Sequence, residues 1–201
     1  HMESLPVIRW NDASIRYLSI APDGENIVFS ANAGSHWHVY VADTAGGTPI
    51  QITDARGNHI DARVSPDGRR LAYLSDRGGL TDQYDLWVHD REVGSHERFT
   101  FTSDVEQYCW YADGRTLIVS AGDPPRLQKI DISLGRPLPL TKSDGGEEYG
   151  EHSPRLYRFE GKTRIMYVRS YRSGKKHVRR IAVDGSDDRR ITRSGGSEWL
   201  E

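Results

Sequence analysis

The sequence predicts an all-β chain of four repeats with four strands each, and three observations that keep in phase predict it. A tight turn recurs as Ala21-Pro22-Asp23-Gly24, Ser65-Pro66-Asp67-Gly68 and Tyr111-Ala112-Asp113-Gly114, at spacings of 44 and 46 residues. A degraded copy, Phe159-Glu160-Gly161, follows 47 residues later. Each repeat closes on an apolar residue and a threonine: Ile52-Thr53, Phe99-Thr100, Leu140-Thr141 and Ile191-Thr192. Between these marks apolar residues alternate with period two and are interrupted by Pro or Gly. That pattern suits strands and excludes the helix-pair solenoids of similar period.

The elements read in order. In the first repeat Ile15–Ile20 leads into the turn and Asn26–Ser30 leads out. In the second, the pair is His59–Val64 and Arg70–Ser75. Pro presets φ at the second turn position, Asp accepts local N–H groups, and Gly takes the positive φ that ends the turn. A third strand follows as Trp37–Asp43, Asp85–Asp90, Leu127–Asp131 and Val178–Asp184. The aspartates at these strand ends, Asp43, Asp90, Asp131 and Asp184, suit Asx turns better than a calcium loop. Glycine-bearing turns (Gly46-Gly47, Gly94, Gly135, Gly185) then lead to the closing strand. Four antiparallel strands in about 45 residues is the size of a β-propeller blade. The expected blades are 13–53, 54–100, 101–141 and 142–192, with 193–201 beginning a further blade or a tail.

The string from Val64 through Ser65-Pro66-Asp67-Gly68 to Asp76-Arg77, running on to Asp85-Leu86-Trp87-Val88, resembles the WD40-like repeat called PD40. The resemblance covers roughly residues 13 to 192. Blade three departs from it with Ala112 in place of the turn proline, and blade four with Glu160-Gly161. PD40 repeats build the propellers of TolB, of tricorn protease and of prolyl-oligopeptidase-class peptidases. The resemblance implies a protein- or peptide-binding platform of the TolB type. It also admits the substrate-gating propeller of a serine peptidase or, third, a metal-assisted polysaccharide-lyase propeller.

Composition narrows these classes. The 201 residues carry 27 basic and 29 acidic side chains, so no global charge calls for nucleic acid or an anionic membrane. Between Arg155 and Arg190 basic residues outnumber acidic ones; Arg169, Arg172, Lys175, Lys176, Arg179 and Arg180 read as solvent-facing strand positions and a lysine-rich hairpin tip. No stretch is long and apolar enough to span a bilayer. Cys109 is the single cysteine, which excludes an intrachain disulfide and leaves the compartment open between periplasm and cytoplasm. His1-Met2 reads as a cloning remnant, so a missing signal peptide says nothing about export. The chain has no Gly-x-Ser-x-Gly elbow, phosphate loop, zinc-type cysteine pair or His-Glu-x-x-His. No catalytic residue, metal ligand set or cofactor is therefore assigned.

The binding residues expected are those at the starts of the inner strands, where a propeller channel opens: His59, Asp61, Asp104, Glu106, Glu148 and His152, with Glu147 and Glu151 beside them. His59 and His152 each stand nine residues before a turn glycine, which makes them equivalent by count. His36 and His38 are read as exposed outer-strand positions, with Trp37 turned to the core. At the ends, Pro6–Trp10 is an extra apolar run. Three arrangements fit: a fragment of a larger ring, which is favoured; a compact four-bladed ring; or open blade edges that pair between copies.

Overall fold

The computed structural model describes residues 13–32, 34–142 and 147–192. The expected run Pro6–Trp10 and the expected further blade at 193–201 lie outside them. Among the described residues there are sixteen strands and no helix. They form four four-stranded sheets, each in sequence order. The first holds β1 (Ser14–Ile20), β2 (Asn26–Asn32), β3 (His38–Asp43) and β4 (Ile50–Gln51). The second holds β5 (His59–Val64), β6 (Arg70–Ser75), β7 (Asp85–Asp90) and β8 (His96–Arg98). The third holds β9 (Val105–Trp110), β10 (Thr116–Ala121), β11 (Arg126–Asp131) and β12 (Arg136–Pro139). The fourth holds β13 (Glu148–Phe159), β14 (Lys162–Tyr171), β15 (Lys176–Ile181) and β16 (Arg189–Arg190). The chain is thus an all-β propeller segment of four blades.

The three full turns are one structure. Ala21 N–H donates to Asn26 O (2.8 Å), Ser65 to Arg70 O (2.8 Å) and Tyr111 to Thr116 O (2.7 Å). Gly24, Gly68 and Gly114 have φ of 72°, 75° and 70°, the left-handed region that glycine enters without steric cost. Asp23, Asp67 and Asp113 each accept the N–H two residues on. The strand-end aspartates do the same: Asp43 accepts from Ala45, Asp90 from Glu92, Asp131 from Ser133 and Asp184 from Ser186.

The closing threonines also have a physical role. The fourth strands are short, and the hydroxyl extends the ladder beyond them. Thr53 Oγ1 accepts Val39 N–H (2.9 Å), Thr100 Oγ1 accepts Leu86 N–H (2.9 Å) and Thr192 Oγ1 accepts Val178 N–H (3.2 Å). In the third repeat Glu151 Oε2 takes that place, accepting Leu127 N–H (2.9 Å) and the Thr141 hydroxyl.

The fourth repeat differs from its expected register. Its hairpin pairs Phe159 with Lys162, and Glu160 and Gly161 both have positive φ (48° and 71°). That is a two-residue type I′ turn on a longer hairpin, not the four-residue turn of the other repeats. Bulges supply the true register. The ladder slips after Arg16, after Ile60 and after His152, and Tyr17, Asp61 and Ser153 take positive φ there. His59 therefore corresponds to Glu151, and His152 to Ile60; the count from the glycine misaligned them by one residue. A type I′ turn favours asparagine over glutamate at its first position. We expect Glu160→Asn to stabilise the chain by about 0.5–1 kcal/mol in urea unfolding.

The described residues fall into two compact units, one containing the first two sheets and residues 110–117 and 130–137, the other containing 106–109, 118–129 and the fourth sheet. In the first unit Ala21, Val28, Val39 and Val41 of sheet one pack on Ala62, Val64, Leu71 and Tyr73 of sheet two. In the second, Cys109, Ile118, Leu127 and Leu140 pack on Ile165, Tyr167 and Ile181. Neighbouring sheets thus bury each other's apolar faces, at about 1.5–3 kcal/mol for each large side chain removed from water.

Candidate binding groove

In the first unit three loops meet: residues 34–37 between β2 and β3, 54–58 between β4 and β5, and 76–84 between β6 and β7. Asp76 braces them. It is 7% exposed, accepts Asn58 N–H (2.6 Å) and Asn58 Nδ2 (2.9 Å), and also takes Asp82 N–H (3.2 Å). Asn58 Oδ1 in turn accepts Trp37 N–H (3.1 Å). A Cβ on Gly57, whose φ is 113°, would stand 2.7 Å from Asp76 Oδ1 and 3.2 Å from the Arg77 backbone, so this position requires glycine.

Two hollows open between these loops, of about 880 and 330 Å³, and they share Ser35, Asn58 and Thr81. Arg56, Arg77 and His36 line the larger; Arg16, Tyr17, Trp37, Asp82 and Tyr84 line the smaller. The Arg16 guanidinium lies 4.9 Å from the Trp37 ring centre, and that of Arg77 lies 5.3 Å from Trp87. Arg16, Arg56 and Arg77 are exposed, and among the described residues none is ion-paired. Against them stands Asp82, whose Oδ1 accepts the Tyr84 hydroxyl (2.9 Å), and Asp76, held by N–H donors. Burial, with Asp82 beside it, pushes the Tyr84 phenol up, so it stays a donor. The groove is net cationic.

The residues expected at a channel mouth are placed differently from one another. His59 is 1% exposed, and its Nε2–H donates to Ala55 O (2.9 Å). Asp61 pairs with Arg63 (3.0 Å), and Asp104 accepts the Thr102 hydroxyl. Glu148 is 4% exposed and lies 2.6 Å from Arg126. Of the six, Glu106 and His152 are the pair in contact, with His152 Nδ1 2.8 Å from Glu106 Oε2. Among the described residues no three His, Cys, Asp or Glu side chains converge as a metal site would require.

His36 and His38 also depart from expectation. Trp37 is half-buried under Arg16 rather than in the core, and His38 turns in to stack on His59, ring centres 5.5 Å apart. A row continues from there. His59 meets Tyr73 edge-on (5.7 Å), the Tyr73 hydroxyl lies 3.0 Å from His96 Nδ1, and His96 stacks on His89 (4.3 Å). Burial pushes His38, His59 and His89 down from the usual imidazole value; burial and the neighbouring His89 push His96 down to about 4.

Sequence reasoning missed a charged cluster in the second unit. Arg169, 1% exposed, lies 2.7 Å from Glu151, 3.2 Å from Glu148 and 3.3 Å from Asp188. Arg126 and Arg179 complete it through Glu148 and Asp188. The expected solvent-facing reading holds at Arg172, Lys175 and Lys176, which are exposed, and fails at Arg169. The signal was available: Ile165, Tyr167 and Arg169 share one face by alternation, and that face is the core.

With this geometry in hand, comparison with known proteins decides the family. The PD40 family, described as a TolB beta propeller domain, matches residues 14–198. The chain belongs to the PD40 family. TolB of the Tol-Pal system from Francisella tularensis is 30% identical over 94 residues, 47% of the PD40 chain and 21% of that protein. Tricorn protease homolog 1 from Streptomyces coelicolor is 31% identical over 127 residues, 62% of this chain and 11% of the protease. The crystal structure of TolB from Acinetobacter baumannii superposes with a TM-score of 0.64 at 24% identity, over 84% of this chain and 41% of that one. The last is a likeness of fold. The PD40 chain spans less than half the length of each of these proteins.

Proposed function

We propose that this PD40 chain is a non-catalytic propeller segment that holds a protein or peptide partner on its loops. The observation that carries the reading is the groove walled by three loops and braced through Asp76 and Asn58. Loops held on a rigid sheet scaffold are where such folds place recognition. Similarity to TolB supports the same reading. Glu106 and His152 add a polar contact point in the second unit that solvent reaches. The tricorn match favours a second reading, in which the segment screens peptides for a hydrolase domain of a longer chain. The lyase reading would rest on His59 and His152, of which His59 is buried and stacked on His38.

The test is peptide display on the immobilised chain, with mass spectrometry of the recovered peptides. Enrichment of intact sequences supports a binding platform. Recovery of no sequence above background overturns it, and so does recovery of cleaved peptides.

A further inference from the structure

We propose that the groove of the first unit binds an acidic peptide segment in extended form, its carboxylates on Arg16, Arg56 and Arg77 and its backbone along β1. The proposal rests on the platform reading above and names the partner's chemistry.

Charge is the first argument. Three exposed guanidiniums border the two adjoining hollows of the groove, Arg16 the smaller and Arg56 and Arg77 the larger, and among the described residues none has a carboxylate partner. Elsewhere in the same unit Arg63, Arg70, Arg98 and Arg115 are ion-paired, while among the described residues the exposed Arg69, Arg91 and Arg136 are not, so it is the clustering of Arg16, Arg56 and Arg77 around adjoining hollows that sets these three apart. The two carboxylates in the lining, Asp76 and Asp82, offset part of this charge and leave the three guanidiniums in excess. Arginine is the side chain suited to holding carboxylates, through paired N–H donors. Stacking on Trp37 and Trp87 holds Arg16 and Arg77 in place, so little side-chain freedom is lost when a carboxylate arrives.

The backbone is the second argument, and it selects a peptide over an anionic sugar. Among the described residues β1 pairs on its β2 side alone. Its other edge offers N–H and C=O groups, and Arg16 and Tyr17 carry that edge into the groove. An extended peptide with an acidic residue at every second position sets its carboxylates about 6.8 Å apart along one side, a spacing that separate arginines can receive.

Fluorescence anisotropy tests this with three labelled decapeptides: alternating Val-Glu, alternating Val-Gln, and Val-Glu with its valine amides N-methylated. Val-Glu is expected to bind at least about tenfold tighter than Val-Gln, and to weaken in 1 M salt. The double variant Arg16→Gln/Arg77→Gln is expected to lose about tenfold or more, Arg56→Glu as much, and Arg91→Gln, outside the groove, nothing. Arg56 is exposed at the groove, so its variant reports even if the double variant unfolds in a thermal melt. Equal affinity for Val-Glu and Val-Gln, or an unchanged Arg56→Glu, overturns the proposal. So does retained binding of the N-methylated peptide, and so does an oligogalacturonate that outcompetes Val-Glu at equal charge. If display enriches neutral or basic peptides that the groove variants release, the acidic assignment falls and the platform reading stands.

Discussion

Arg169→Ala is expected to lower the unfolding free energy by about 3–5 kcal/mol, a large part of the 5–15 kcal/mol that holds a typical domain together. Arg169 is the cross-strand partner of Glu151, and its Nε and Nη2 both reach Glu151 Oε1 (2.9 and 2.7 Å). Its Nη1 reaches Glu148 and its Nη2 also bonds the Tyr167 hydroxyl (3.1 Å). Burial alone would pull Arg169 down, but Tyr167, Glu151 and Asp188 outweigh it and keep the guanidinium charged. Truncation leaves Glu151 without its nearest counter-charge and Glu148 with Arg126 alone, and both carboxylates are almost fully buried. Such a loss exceeds the net worth of the intact cluster, because unpaired buried charge is what costs. Two further variants separate these terms. Arg169→Lys keeps the charge, yet one ammonium cannot span the acceptors that the planar fork reaches, so a loss of about 1–3 kcal/mol is expected. Combining Arg169→Met with Glu148→Gln and Glu151→Gln removes the charges together and is expected to recover most of the loss. Urea unfolding followed by tryptophan fluorescence gives all three values. A loss below about 1 kcal/mol for Arg169→Ala would mean that water reaches the carboxylates.

The contrast between Arg169 and the three turns shows what a sequence of this kind makes legible. Gly24, Gly68 and Gly114 were readable because a positive φ admits few residue types, and the aspartate beside each has one local task. The closing threonines were readable as a recurrence, although their task, capping a short strand through Oγ1, required coordinates. The fourth blade was misregistered because its hairpin is longer and its turn is of another type, so counting from Gly161 moved every position by one. His59 was thereby matched with His152 when its counterpart is Glu151. The expected polar mouth assumed that strand starts face water, whereas His59 and Glu148 are packed inward. The groove was invisible because it is assembled from Arg16, Arg56 and Arg77, which stand on three different segments with no spacing rule between them.

Acidification from pH 6.5 to about 4 is expected to destabilise the first unit through its row of histidines. In the unfolded chain each titrates near 6.5. In the folded chain burial holds His38, His59 and His89 below that value, and His96 at about 4. Between about 4 and 6.5 the unfolded state therefore binds more protons, and the unfolding free energy falls as pH falls. The contribution is complete above 6.5 and spent below about 4. The charged groups facing the row do not reverse this: Asp54, Asp76 and Asp90 favour protonation, while Arg77, Arg91 and the other imidazoles oppose it. Geometry gives the same direction: a charged His96 would be stacked on the His89 ring, centres 4.3 Å apart, with both imidazoles half-buried. Each tenfold loss of proton affinity on folding is worth about 1.4 kcal/mol. With partial solvent contact discounted, the row should account for about 2 kcal/mol over this window. The carboxylates act separately. Local hydrogen bonds hold Asp23, Asp90, Asp131 and Asp184 below the usual carboxylate range, so their contribution is present at higher pH and is lost only as pH falls below about 3.8. Thermal melts across pH 3–8 should then show two limbs, and the double variant His59→Gln/His96→Gln should flatten the upper limb and leave the lower one. Glutamine at position 59 can still donate to Ala55 O, so the variant removes the titration while keeping that bond. An upper limb with unchanged slope in the double variant would place the acid sensitivity outside the row.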